Sequence, residues 1–341
     1  MSRKQRFRAY QTKEQIMRQF DLNATLRCCI AACLALLGTV VGVVAASDAR
    51  AADGAVEPLP VQEVAPGIFV YQAPYQLAAP INGGAIGNAG FIVGREAVAV
   101  VDTGGSAKVG ARLLAAVRAR TALPIRFVIN THFHPDHVLG NAAFAGLGAK
   151  FVGHKNLAAA LAARAAVYLE ANKRLIGEAD FAGTTVVPPD VAVDGTMTVD
   201  LGDRVLELEA HPTAHTNADL SVFDRATRTW WLADLLFVRH VPALDGSLRG
   251  WLAVMDKAKQ RACDRVVPGH GPASVAWPAA LAPQERYLAR MRDEIRAKIR
   301  DGVSLAEAAR SSGMREKDAW DLFEDFNARN ATAAYHELEW E

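Results

Sequence analysis

Four side chains able to give a lone pair to a transition metal fall within six consecutive positions, His132-Phe133-His134-Pro135-Asp136-His137. The run has the form H-x-H-x-D-H. It follows directly on an apolar stretch, Ile125 to Ile129, so a strand is expected to deliver it. Imidazole and carboxylate at this density suit Zn²⁺ or iron. Such ions do hydrolytic or redox work, chiefly by polarising a substrate oxygen or acidifying a water.

Three more candidate ligands follow in order, each at the end of an expected strand. They are His215 in Ala214-His215-Thr216, Asp234 in Leu232-Ala233-Asp234, and His270 in Pro268-Gly269-His270-Gly271. Alone, any of them would be an ordinary surface or core residue; the ordered set is what points to metal. Asp102, in Asp102-Thr103-Gly104-Gly105, reads on its own as a turn residue. Of the remaining histidines, His211 reads as a turn residue before Pro212, His154 as structural at a strand end, and His336 as solvated on a helix. His240 lies six residues past Asp234 and reads as substrate-facing or structural with equal force. Trp230-Trp231 reads as core.

The elements that must position these groups alternate in kind. Strands are expected at 67–71, 91–93, 97–101, 125–129 and 150–152, with a Gly/Asn-rich loop at 82–90. Helical spacing of Val109, Leu113, Ala116 and Val117 predicts a helix over 108–120. A short helix is expected at 141–145, and a long Ala-rich one spans 157–176 and stops at Gly177. Residues 191–210 are strand-rich, 220–223 and 229–232 form a hairpin, and 265–267 is a strand. From about Pro283 the chain is helical, with a capping box at Ser304-Leu305-Ala306-Glu307. This order argues an α/β sandwich with helices outside.

The N-terminus has a different character. Cys28 to Ser47 carries no charge, basic residues precede it, and Ala49-Arg50-Ala51 follows as an A-x-A cleavage site. Residues 1–51 therefore read as a secretory signal, with Met17 an alternative start and a retained membrane anchor the alternative fate. Ile30-Ala31-Ala32-Cys33 sits at the start of the apolar run, not its end, so lipidation is not expected. Beyond residue 51 the chain holds 30 basic and 34 acidic residues, a net of −4. That balance, with no basic stripe, leaves no electrostatic footprint for nucleic acid. Of four cysteines only Cys263 lies past the signal, so the exported chain has no internal disulfide and must stand on its core.

The ordered set His132-x-His134-x-Asp136-His137, His215, Asp234, His270 resembles that of the metallo-β-lactamase superfamily, from about Val64 to His270. The resemblance implies an αββα sandwich over residues 52–280, followed by a C-terminal helical extension, 281–341. It implies a first metal on His132, His134 and His215 and a second on Asp136, His137 and His270. Asp234 would bridge them, and Asp102 would support the histidine loop without touching metal. Two zinc ions sharing a hydroxide would then attack an ester, thioester or amide-like bond, with Asp136 orienting the nucleophile and shuttling its proton. Asp at 234 departs from the Cys or Ser of two zinc β-lactamase classes. It matches thioesterase-type members such as glyoxalase II.

A narrower resemblance rests on His134-Pro135-Asp136-His137-Val138-Leu139-Gly140-Asn141, Pro212-Thr213-Ala214-His215-Thr216, Asp234-Leu235-Leu236-Phe237, Asp245-Gly246-Ser247-Leu248-Arg249-Gly250-Trp251 and the terminal Glu337-Leu338-Glu339-Trp340-Glu341. These runs are similar to the quinoprotein relay system zinc metallohydrolases (SoxH-related). That resemblance implies periplasmic export and a partner among PQQ-dependent quinoprotein dehydrogenases or cytochromes, with a small-molecule substrate it does not name. Arg249 and His240 are the candidates for substrate contact. A metal-binding accessory protein without turnover and a mononuclear iron sulfur dioxygenase are the alternatives, and β-lactam hydrolysis would be no more than a side reaction.

Overall fold

Period-two alternation of apolar side chains builds two sheets, described by a computed structural model over residues 56–341; the signal expected at 1–51 lies outside the described residues. The first sheet runs in chain order through β1 (Val61–Ala65), β2 (Ile68–Tyr71), β3 (Ala89–Val93), β4 (Val98–Val101), β5 (Ile125–Ile129), β6 (Lys150–His154) and β7 (Val191–Val193). The first four pair antiparallel, and β4 through β7 pair parallel. The second sheet contains β8 (Thr196–Asp200), β9 (Val205–Ala210), β10 (Leu220–Asp224), β11 (Thr229–Phe237) and β12 (Arg265–His270), in the order β12-β11-β10-β9-β8. Only β11 and β12 are parallel neighbours there.

The helices are α1 (Ala107–Arg118), α2 (Pro135–Val138), α3 (Leu157–Ile176), α4 (Glu178–Phe181), α5 (Leu248–Ala258), α6 (Ala282–Arg300), α7 (Leu305–Ser311) and α8 (Phe323–Leu338). The alternation decides which layer each strand residue feeds. Ala99, Val101 and Ile129 point between the sheets and meet Leu206, Leu208, Val222 and Trp231. Val98, Val100 and Val128 point outward onto Val109, Leu113 and Val117 of α1. Trp230 and Leu232 leave the opposite face of β11 and pack on Trp251 and Met255 of α5 and Leu288 and Met291 of α6. Each such side chain contributes roughly 1.5–3 kcal/mol by leaving water. The result is a helix–sheet–sheet–helix sandwich, as expected.

The C-terminal helices belong to the outer layer on the second sheet: Tyr287 and Ile295 of α6 and Ala331 and Ala334 of α8 share its core. The expected capping box is present, with Ser304 Oγ accepting from the Glu307 N–H at 3.3 Å. Among the described residues no helix is long and apolar enough to cross a membrane. The candidate ligands collect at one edge of the sandwich. They sit where β5 and β12 end, on the β9–β10 connection, and at an irregularity in β11, with Asp102 behind them at the end of β4.

Candidate metal centre

Strand β5 ends at Ile129, and the chain then turns through Thr131 to His134 into α2, whose first turn carries Asp136 and His137. Two neighbouring groups of donors result. His132, His134, His215 and Asp234 offer ligand atoms within 4.8 Å of one another, and so do Asp136, His137 and His270. All seven residues singled out from the sequence are brought together. Asp234 touches both groups. Its Oδ2 lies 3.3 Å from His215 Nε2, 3.6 Å from His132 Nε2 and 3.4 Å from His270 Nε2, while Oδ1 is 3.1 Å from His137 Nε2. Asp136 Oδ2 stands 3.4 Å from both His137 and His270 Nε2.

The backbone makes room for this crowding. Ala233 takes a left-handed φ of 48°, and the β11–β12 register shifts around it, turning the Asp234 side chain into the site. Gly269 lies against that side chain so closely that a Cβ there would stand 1.8 Å from Asp234 Oδ1. Over the second group, a Cβ on Gly87 would come within 2.8 Å of His137 Nε2 and 3.0 Å of Asp136 Oδ2. Both glycines are needed for close approach. Asn88, next along, donates from Nδ2 to the Pro268 carbonyl at 2.8 Å and so pins the turn that carries His270.

Four histidines have one ring nitrogen committed outward, which fixes the tautomer and leaves the other nitrogen's lone pair facing the centre. His137 Nδ1 donates to Asp102 Oδ2 at 2.9 Å. Thr131 Oγ1 donates to the same oxygen at 2.8 Å and accepts from His132 Nδ1 at 3.0 Å. His134 Nε2 donates to Asp245 Oδ2 at 3.0 Å, and His215 Nδ1 donates to the Ala243 carbonyl at 2.6 Å. Asp102 is fully buried and binds the histidine loop rather than the centre, so of its two readings the supporting one describes its contacts.

These donors fit a cation pair. His134 Nδ1 and His215 Nε2, both left as lone pairs, face each other at 3.0 Å. That arrangement is repulsive unless a cation or proton lies between them. His132 Nε2, His137 Nε2 and Asp234 Oδ1 are buried without a hydrogen-bond partner, at a cost of roughly 1–3 kcal/mol each. Charge is divided unevenly between the groups. Burial holds the His132 imidazole well below its usual range and His215 down at about 3. Burial pulls His137 and His270 the same way, but Asp234 and Asp136 outweigh it. They lift His137 well above its usual range and His270 to about 9.

The site floors a cavity of about 410 Å³. Asp136, Asp234 and His270 form its base, α3 one wall, and Phe326 and Arg329 of α8 another. His240 lines it too; its Nδ1 donates to the Val241 carbonyl at 2.6 Å, leaving Nε2 as an acceptor. Arg249 does not line it. The guanidinium is held by Glu337 and Glu341, each at 3.1 Å, which corrects its assignment as a substrate contact. His211 is buried, 2.7 Å from Ser221 Oγ, and is more than a turn residue. His154 is buried and structural, accepting from the Asn156 N–H, and His336 is solvated. Asp245, Thr131, Gly87 and the α8 side chains were not singled out as functional from the sequence. Asp245 stood in a quoted motif, but nothing local tied it to His134, 111 residues away.

The model of the metallo-beta-lactamase superfamily matches residues 82–270, more than half of the chain. No curated protein matches it. Among solved structures, the chain is similar to the metallo-beta-lactamase from Pontibacter korlensis at 19% identity and a TM-score of 0.54, over 68% of this chain and 99% of that one. It is similar to the stereoselective inverting sec-alkylsulfatase Pisa1 from Pseudomonas sp. at 17% identity and a TM-score of 0.61, over 81% of this chain and 49% of that one. At these identities the likeness is one of fold. With its sandwich, its edge site and the matching family model, the chain belongs to the metallo-beta-lactamase superfamily.

Proposed function

We propose that the protein is a binuclear metal-dependent hydrolase of ester, thioester or amide-like bonds. One observation carries the reading: seven donors converge in two adjoining groups, with Asp234 against both. His132, His134 and His215 would hold one ion, and Asp136, His137 and His270 the other. Asp234 would lie between them. Zinc suits this imidazole and carboxylate set, with iron the alternative. When bound, the pair would supply Lewis acidity and a water acidified toward neutrality.

The chain's own groups do the rest. Burial raises the Asp136 carboxyl, but His137 and His270 outweigh it and hold it well below the usual carboxylate range. It is therefore an anion at neutral pH, facing the cavity, and Oδ2 can accept a proton there and return it to a leaving group. His240 Nε2 offers an acceptor on the same wall. The apolar sides keep bulk water from the reacting bond, which strengthens every electrostatic contact at the base. The names of two similar structures, a β-lactamase and an alkylsulfatase, support hydrolysis as the reaction class.

The apolar N-terminal run and the sequence motifs around His134, His215, Asp234 and Asp245 support a wider setting. In it the enzyme works in the periplasm beside a PQQ-quinoprotein dehydrogenase or a cytochrome. Cell fractionation and co-purification test that part separately. The activity itself is tested on a panel of esters, thioesters and amides with zinc-loaded and iron-loaded protein. Turnover that falls about 10²–10⁴-fold in Asp136→Asn is expected. A panel with no turnover in either form sinks the reading.

A further inference from the structure

Above the donors, the cavity is walled by hydrocarbon. Leu77 and Ile86 come from the β2–β3 connection, Val167 and Leu175 from α3, and Phe326 from α8. Val167 is 69% exposed, Leu175 53% and Leu77 45%. Three of the eight large exposed apolar side chains among the described residues thus stand on the lip of one cavity. Core packing does not account for them, and clustered exposed apolar surface marks a binding site.

Beside this hydrocarbon the lining carries the polar ends of Gln76, Tyr168, Asn172, His240, Asp245 and Arg329. Asn172 Nδ2 is taken by the Tyr168 carbonyl at 2.8 Å, and Gln76 Oε1 accepts from Asn82 at 3.3 Å. Arg329 is the only Lys or Arg in the lining, and it stands beside Asp245 at 3.9 Å. A multiply anionic substrate body would lose its hydration here and find one cation, already beside a carboxylate. A hydrocarbon chain would lose nothing.

We propose that the site takes substrates with an apolar, medium-length acyl chain, which lies between α3 and Phe326 while the scissile carbonyl reaches Asp136 and Asp234. This rests on the hydrolase reading for the reaction, but the chain pocket stands on its own geometry. Each methylene that leaves water is expected to raise kcat/KM about two- to fourfold until the cavity is filled.

Two series on the zinc-loaded full-length protein test it. Calorimetry compares decanoate with acetate, which share a carboxylate and differ only in chain. Hydrolysis compares p-nitrophenyl esters from acetate to octanoate. Decanoate should bind at least about 30-fold more tightly than acetate, and kcat/KM should climb with chain length. Val167→Asp with Leu175→Asp, both at exposed positions of α3, should flatten both series; circular dichroism checks that the helix is intact. Equal binding of acetate and decanoate, or an undiminished chain dependence in the double variant, overturns the pocket. Chain-dependent binding with no ester turned over supports the pocket and sinks the hydrolase reading instead.

Discussion

Asn330, buried in α8, donates from Nδ2 to the Pro242 carbonyl at 2.6 Å. Its Oδ1 accepts from the Leu244 N–H at 2.9 Å, so one C-terminal side chain holds the 242–244 segment from both directions. That segment carries the Ala243 carbonyl that fixes His215 and leads to the Asp245 carboxylate that fixes His134. The helix at the end of the chain thereby sets the tautomers of two donors in the first group. Asn330→Ala should weaken the first metal by about 10–100-fold and leave the second nearly unchanged. Competition with a chromophoric chelator, resolved into two binding steps, reads this. Equal weakening of both steps would mark a general loss of stability instead.

Asp102 supports the other side. Its carboxylate is fully buried and accepts from the Thr131 N–H, Thr131 Oγ1 and His137 Nδ1. In Asp102→Asn one carboxylate oxygen becomes an amide donor, so the His137 bond to Oδ2 and the Thr131 N–H bond to Oδ1 cannot both be kept. Loss of about 10-fold or more in metal affinity, most of it in the second step, is expected. Unchanged affinity in both steps would show that the loop holds itself.

Gly269 permits Asp234 to lie where it does, since a Cβ would stand 1.8 Å from Oδ1. Gly269→Ala should fold, at a cost of roughly 1–3 kcal/mol, but with Asp234 displaced and the two metal-binding steps uncoupled. A single melting transition together with two independent, weaker binding steps is the expected pattern. Wild-type coupling in the variant would argue that Asp234 does not lie between the ions.

His211 gives a pH signature away from the centre. Burial holds its imidazole at about 4 against an ordinary 6.5. Between those values the unfolded chain binds the proton and the folded chain does not, so stability falls as pH drops from about 6.5 toward 4 and is fully present above that window. His211→Gln keeps a polar partner for Ser221 and removes the titration. Melting temperatures at pH 7.5 and pH 5 should therefore differ less in the variant than in the wild type. An equal difference would place the acid sensitivity elsewhere.

Much of this arrangement was legible in the sequence because the information is local. The cluster from His132 to His137 follows its strand within a few residues, and the 157–176 helix begins and ends where its composition and Gly177 require. Gly177 takes φ 96° and ψ 151°, an extended positive-φ conformation open to glycine, and so ends the helix. Strand β1 is not legible because it is an edge strand in which adjacent Gln62 and Glu63, on opposite faces, are both exposed and break the apolar alternation. Helix α5 carries Leu248, Trp251, Val254, Met255 and Ala258 on one buried face, but its first turn lies inside the Asp245–Trp251 run and does not stand out as a helix start. Asn330 and Asp245 were illegible for a different reason. Their partners lie 86 and 111 residues away; docking of α8 on the second sheet reveals the first, and the meeting of the two sheets' edges reveals the second.

In the proposed function His132, His134, Asp136, His137, His215, Asp234 and His270, two adjoining groups of donors, together hold a pair of cations. Metal analysis of full-length protein, saturated with zinc and then desalted, tests it most directly. About two zinc ions per chain are predicted, falling to about one in His270→Ala and to none when His132 and His134 are also replaced. Protein that retains no metal at all, or that retains two ions in the triple variant, would contradict the account.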